Sequence, residues 1–151
     1  MQNKQERLPD GTLILRTLAM PSDTNANGDI FGGWIMSQMD MGGAILAKEL
    51  AKGRVVTVSV DKMSFISPVS VGDVVCCYGR CVKVGKTSMQ VKVEVWIKKV
   101  SDGAGDRHCV TEALFTFVAI DKNGKPRAIP RDHNPDLDFV LAEIAQAEQN
   151  Q

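Results

Sequence analysis

The sequence predicts an α+β fold in which an antiparallel sheet of about five strands curls around one long helix. Three observations carry that expectation. A strand-like run near the N-terminus is followed by a single stretch of helical period. Runs with a period of two come after it at hairpin spacing, so helix and strands are segregated rather than alternating. Only that one long helix is available to cover the strands, and the sheet should therefore bend round it. The 151 residues are read as a single domain, because a chain of this length supports one core.

Residues 1–11 form a polar N-terminal arm without the apolar stretch of a secretory signal. Thr12 to Met20 is β-rich and apolar, a first strand. Pro21 to Gly28 (PSDTNANG) is dense in turn formers and reads as a loop. The helix is predicted from near Gly33 to about Lys52, with Ile35, Met39, Leu46 and Leu50 at helical spacing and Gly53 as its stop. Val55 to Phe65 and Val74 to Val84 are the next strands, separated by a connection broken by Pro68 and Gly72. After a turn at Gly85 to Thr87, Ser88 to Lys99 alternates cleanly. Met89, Val91, Val93, Val95 and Ile97 face one way and Gln90, Lys92, Glu94 and Lys98 the other, with Trp96 an exception on the polar side. Val100 to Arg107 is a polar loop, Cys109 to Asp121 the last strand, and Asn123-Gly124 a tight turn. The tail, 131–151, ends in a short amphipathic helix with Leu137, Val140, Leu141 and Ile144 on one face.

An apolar fraction of 44% fits a folded globule. Eighteen basic residues balance eighteen acidic ones, so no global charge draws the chain to nucleic acid or an anionic membrane. No run reaches the length of a transmembrane helix. Cys76, Cys77, Cys81 and Cys109 include no C-x-x-C pair, and the adjacent Cys76 and Cys77 would point to opposite faces of a strand. All four read as reduced thiols of a cytoplasmic protein. Cys109 beside His108 lacks the partner spacing of a zinc site, and no metal is expected.

The stretch NGDIFGGWIMSQMDMGG, Asn27 to Gly43, raises the functional question. Asp40 stands among Met36, Met39 and Met41, flanked on the helix by Ser37, Gly43 and Ala44. A carboxylate on so apolar a face is either partly desolvated, and so a better base, or it faces solvent or caps a nearby loop. Gly42 and Gly43 each cost about 1 kcal/mol against alanine inside a helix, which implies close approach of another backbone or a ligand. Gly32-Gly33 marks the helix start, where backbone N–H groups lack partners and carry the positive end of the dipole. Glycine there lets a carbonyl come close, although a tight strand-to-helix turn requires the same residues. Donors at a helix start with a carboxylate about two turns on is a layout for acyl transfer.

The segments DTNANGDIFGGWIMSQMD, VVTVSVDKMSFISPVSVGD and VGKTSMQVKVEVWIKK resemble the hotdog-fold acyl-CoA thioesterases, and most closely their bacterial YciA-type branch. The resemblance covers about Leu13 to Pro130; the Gly32 to Asp40 pattern recurs in other hotdog proteins, whereas LRTLAMPSDTNANGDIFGGW is more specific. It implies a helix wrapped by the sheet, dimers paired edge to edge with sites between subunits, and dimers building a hexamer. It implies Asp40 as the catalytic carboxylate and the amide of Gly33, or of a neighbour, as the thioester-polarising donor, with Gly32 among the substrate-binding residues. A polar side chain from the upstream loop would serve the partner's site. Asp29 matches by distance, Asn27 has the better chemistry, and Asn27 is weakly favoured. Thr57 is a candidate supporting hydroxyl, although a threonine on a strand surface is ordinary. The family's pattern places a basic residue before the proline of FISPV, where this chain has Ser67. The CoA phosphates would then need another group, and Lys86, Thr87 and Ser88 are the first candidates, with a plain hairpin turn as the alternative.

The resemblance thus implies hydrolysis of acyl-CoA to free CoA and a carboxylic acid, with no cofactor beyond the CoA of substrate and product. Asp40 would deprotonate a water or attack the carbonyl itself. The thiolate leaves readily, so no dedicated acid is needed. The absence of a histidine near the helix disfavours hotdog dehydratases, and no G-x-S-x-G supports a Ser-His-Asp hydrolase. The alternatives are a non-catalytic acyl-CoA sensor on the same fold and an oligomeric structural protein.

Overall fold

The computed structural model describes residues 7–99 and 106–150. The first six residues of the polar arm, positions 100–105 of the expected loop and Gln151 lie outside the described residues. Five strands and two helices of more than one turn follow in order: β1 (Thr12–Leu18), α1 (Gly32–Ala51), β2 (Val55–Phe65), β3 (Val74–Val84), β4 (Ser88–Lys98), β5 (Arg107–Ala119) and α2 (Pro135–Gln149). A single 3-10 turn, Pro21–Asp23, lies between β1 and α1. All strand pairs are antiparallel, and the spatial order is β1-β3-β4-β5-β2.

That order explains the helix. β1 and β2 occupy opposite edges, so the chain between them must cross the whole sheet. α1 makes that crossing on the concave side. It buries Ile35, Met39, Ala47 and Leu50 against Val91, Val93, Val95, Phe115 and Phe117. The alternation along β4 is as the sequence predicts on this face, from Met89 to Ile97. The close approach at the glycine pair is to side chains rather than to another backbone. A Cβ on Gly43 would lie 3.0 Å from the Phe117 ring, and one on Gly42 would lie 3.2 Å from Ile14. The helix stops where expected, yet Lys52 rather than Gly53 takes the left-handed conformation, at φ 54°. At Gly53 a Cβ would lie 2.7 Å from the Arg127 guanidinium, which would have to swing aside.

The convex face departs from expectation. Trp96 is no exception on a polar surface: with Cys76, Tyr78 and Cys109 it forms a second buried cluster. Its cover is the segment from Arg7 to Asp10. The Arg7 guanidinium lies 5.7 Å from the Trp96 ring centroid. Arg7 also donates to Glu94 at 2.9 Å and to Glu112 at 2.6 Å. The Asp10 amide donates to Glu94 at 3.0 Å, and the Asp10 carboxylate accepts from Arg80 and Lys92. Glu94, expected to face water, is only 1% exposed. The segment then turns into β1 at Gly11, whose φ is 102° and whose Cβ would fall 2.3 Å from the Gly79 carbonyl oxygen.

The tail helix runs for 15 residues, longer than expected. Asn134 caps it and ties it down: the side-chain amide donates to the carbonyls of Leu50 and Pro130, both at 2.8 Å, and its oxygen accepts from the Leu137 amide. α2 docks through Leu137 and Val140, while Leu141, expected on the same face, is exposed. Among the described residues no helix is long and apolar enough to cross a membrane.

Candidate active site

Asp40 sits on the flank of α1 that meets β2, half-buried, one position beyond the fully buried Met39. Thr57 stands opposite it. Its backbone pairs with Phe117, a concave-face residue, so its side chain shares that side of the sheet. The Thr57 hydroxyl donates to Asp40 Oδ1 at 2.5 Å. It fixes one carboxylate oxygen and leaves Oδ2 for another partner. Two residues singled out separately in the sequence are thus in direct contact.

Phe31 is the N-cap of α1 and supplies no side-chain cap. Its carbonyl accepts from Trp34 and Ile35, but no acceptor among the described residues takes the amides of Gly32 or Gly33. Both glycines are where a donor pair would be wanted. They do not meet Asp40, however. Seven residues separate Gly33 from Asp40, and at 1.5 Å per residue that is about 10 Å along the axis. No single carbonyl carbon lies within reach of both groups of one chain, so the expected convergence does not occur within one subunit.

The loop before the helix is organised by a residue that the sequence reading passed over. The Asn25 side-chain oxygen accepts from the amides of Asn27 at 2.9 Å and Asp29 at 3.2 Å, and the Asn25 amide donates to the Asp29 carbonyl. This Asx-type turn leaves the side chains of Asn27 and Asp29 exposed, with no hydrogen bond of their own among the described residues. The turn at Lys86, Thr87 and Ser88 is placed elsewhere. Ala119 donates to the Thr87 carbonyl, and the Ala119 backbone pairs with Val55, so the turn lies by the C-terminal end of α1. Its carbonyls are also engaged, by Ile129 at Lys86, by Arg131 at Gly85 and by Gly85 at Ser88. Within one chain it is not brought together with the helix start.

A groove of about 290 Å³ opens beside the free amides, between Gly32, Ile35 and Phe65 to Val69. A larger cavity, about 780 Å³, lies on the opposite flank of α1 between β1 and α2, and neither Asp40 nor Thr57 lines it. The cysteines offer no rival nucleophile. Burial pushes the Cys77 thiol up to about 12 and that of Cys81 up to about 11.

Comparison with known proteins identifies the family. Residues 27–104 match the thioesterase superfamily. An uncharacterized acyl-CoA thioester hydrolase of Haemophilus influenzae is 68% identical over 145 residues, covering 95% of this chain and 94% of that protein. The acyl-CoA thioester hydrolase YciA of Escherichia coli is 68% identical over 124 residues, 82% of this chain and 94% of its own. Among solved structures, a hexameric broad specificity acyl-coenzyme A thioesterase superimposes with a TM-score of 0.89 at 66% identity, covering 96% of this chain and 99% of that one. A hexameric thioesterase from Yersinia pestis gives 0.78 at 67% identity, over 82% of this chain and 98% of its own. A five-stranded antiparallel sheet wrapped on one helix, together with identities of this size over nearly the whole chain, places the protein in the thioesterase superfamily, as a hotdog-fold member close to the YciA-type acyl-CoA thioester hydrolases.

Proposed function

We propose that the chain hydrolyses acyl-CoA thioesters to free CoA and a carboxylic acid, with Asp40 of one subunit acting on a thioester held by the helix-start amides of another. The observation that carries this reading is the Asp40–Thr57 pair on the β2 flank, about 10 Å from the free amides of its own helix. In this reading a second copy supplies the amide donor beside that carboxylate. β2 pairs with β5 on one side only, no strand among the described residues covers its outer edge, and Val56, Val58 and Val60 are exposed along it. Such an edge invites pairing with a second copy. The two-chain site makes a homodimer the minimal unit. The hexameric relatives support three such dimers as the assembly.

In this site the Gly33 amide, with Gly32 beside it, binds the thioester oxygen as charge develops there. The Thr57 hydroxyl holds Asp40 in place. Asn27 or Asp29 reaches the thioester or its water from the loop. Two routes use the same geometry. Asp40 takes a proton from water, and the resulting hydroxide adds to the carbonyl and expels the CoA thiolate. Alternatively, Asp40 adds directly to the carbonyl and expels the CoA thiolate to give a mixed anhydride, which water then cleaves to the acid and free Asp40. CoA enters and leaves as part of substrate and product, and the four reduced cysteines fit a cytoplasmic setting.

The test is thiol release from acyl-CoAs of graded chain length. Asp40→Asn and Asp40→Ala are expected to lower kcat about 10³-fold while leaving acyl-CoA binding intact. In single turnover in ¹⁸O-water, label in the Asp40 carboxylate establishes the anhydride route, since only water attack at the Asp40 carbonyl of an anhydride can place it there. A wild type that binds acyl-CoA tightly and releases no thiol is a sensor, and the hydrolase reading then fails.

A further inference from the structure

We infer that Met36 is a specificity-determining residue: its side chain is the wall against which the acyl chain of the thioester lies, and it reads the length of that chain. The inference rests on the hydrolase reading and deepens it. Of the three methionines around Asp40, Met39 is fully buried in the core and Met41 is 49% exposed. Met36 is 39% exposed and lies outside both buried clusters. At about 100° per residue, Gly33 and Asp40 fall within about 20° of one line along α1, and Met36 falls within about 40° of Asp40. Met41 points about 100° away from Asp40. Met36 is therefore the methionine that is exposed on the flank of the carboxylate. Helical side chains lean toward the N-terminus, so Met36 overlies the turn that holds Gly32 and Gly33. Neither glycine has a side chain to compete for that space.

β2 completes the wall. Thr57 bonds Asp40, and the Phe65 ring lies 3.3 Å from the Cβ position of Gly32. Val60 and Met63 come between these two points on the strand. Val60 pairs with Phe115 of the concave face, and Met63 packs against that core. The strip from the donor amides to the carboxylate is thus apolar on the helix and on the strand. A two-fold pairing that sets Gly33 of one copy beside Asp40 of the other runs the two helices antiparallel. Its axis passes midway between those positions, at Met36 and Ser37. Ser37 points about 160° from the buried Met39, so outward, and its hydroxyl donates to the Trp34 carbonyl at 2.6 Å. Met36 points about 60° from Met39, toward the sheet. The Met36 side chains of the two copies therefore meet at the axis and divide the two sites. From the Gly33 amide an open surface groove leads away past Ile30, Pro68 and Val69, and the Met36 strip leads toward the axis. The CoA moiety is bulky and polar and stays in water, which leaves the covered apolar direction to the acyl chain. A flexible thioether that packs on no fixed partner adapts to chains of different length.

The experiment measures kcat/KM for acetyl-, butyryl-, hexanoyl- and octanoyl-CoA. Met36→Ala is expected to leave acetyl-CoA within about twofold of wild type and to lower octanoyl-CoA about 10-fold, as loss of burial for about two methylenes does. Met36→Trp, which fills the axis, is expected to cut octanoyl-CoA at least as strongly and to spare acetyl-CoA. Met41→Ala, on the same helix and equally exposed to solvent, should change no chain length. Equal losses at every chain length, no loss at any, or the same length-dependent loss from Met41→Ala overturn the inference. Calorimetry in the Asp40→Asn background separates it from the hydrolase reading. There Met36→Ala is expected to weaken octanoyl-CoA about 10-fold and to leave free CoA unchanged. If wild type releases no thiol, the hydrolase reading fails and this shift in affinity still decides the role of Met36; an unchanged octanoyl-CoA affinity overturns it.

Discussion

The concave face of the sheet buries Val91, Val93, Phe115 and Phe117 against α1, whereas the convex face buries Trp96 and Glu94 beneath a short N-terminal segment. The first is closed by apolar side chains, each contributing about 1.5–3 kcal/mol on burial, with little dependence on pH or salt. The second is closed around a carboxylate. Glu94 Oε1 accepts from the Asp10 amide and the Trp96 indole, each at 3.0 Å, and Oε2 accepts from Arg7 at 2.9 Å. A buried charge of this kind adds little as long as it is satisfied and is costly once a partner is lost. The same strands therefore carry one face that responds to shape and one that responds to charge.

Glu94→Ala should show the largest stability effect. It leaves the Trp96 indole and the Asp10 amide without an acceptor and Arg7 with Glu112 alone, and a loss of about 3 kcal/mol or more is expected in urea denaturation. Burial pushes the Glu94 carboxyl up, but the Asp10 amide, the Trp96 indole, Arg7 and Lys92 together outweigh it and hold the group below the usual carboxylate range. A folded value below the unfolded one contributes stability above the unfolded value and loses it as pH falls through the folded one. Wild type should therefore lose more stability than Glu94→Gln between about pH 5 and about pH 3. Parallel pH profiles would show that Glu94 does not govern this face.

Gly43→Ala probes the other face with a smaller effect. Alanine gains about 1 kcal/mol in helix propensity, but its Cβ falls 3.0 Å from the ring of the fully buried Phe117. Overpacking of this kind costs about 1–3 kcal/mol, so a net loss of about 1 kcal/mol is expected, with a pH profile parallel to wild type. Stabilisation by this substitution would show that the Phe117 ring gives way and that the concave face is less tightly fitted than its contacts indicate.

The contrast also explains what the sequence disclosed. The concave face was legible because its signals are local: the period of two from Met89 to Ile97, the helical spacing of Ile35 and Met39, and a carboxylate inside a methionine run at Asp40. The convex face was not. Trp96 looked misplaced because its cover, Arg7, is 89 positions away in the chain. The tie that Asn134 makes to Leu50 and Pro130 has no local signal in the sequence, since these partners meet it through tertiary structure. In the candidate site, Asp40 and Thr57 could each be named, but their contact required the β2 register. The 10 Å between the helix-start amides and Asp40 follows from the helical rise alone.

Asp10→Asn sharpens the comparison at its weakest point. The Asp10 carboxylate takes two bonds from Arg80, at 2.8 and 3.0 Å, and one from Lys92 at 3.2 Å. The Arg80 bond is the main reason its carboxyl lies below the usual range. All three side chains are about one-third exposed, so solvent screens the pair. Asparagine keeps one acceptor for Arg80, and the Asp10 backbone amide that holds Glu94 is unchanged. A loss of about 0.5 kcal/mol is expected, falling toward zero in 1 M salt. A loss as large as that of Glu94→Ala would move the clamp from the buried carboxylate to the charges at its rim. The convex face would then be held by ion pairs that salt dissolves, and its sensitivity to acid would belong to Asp10.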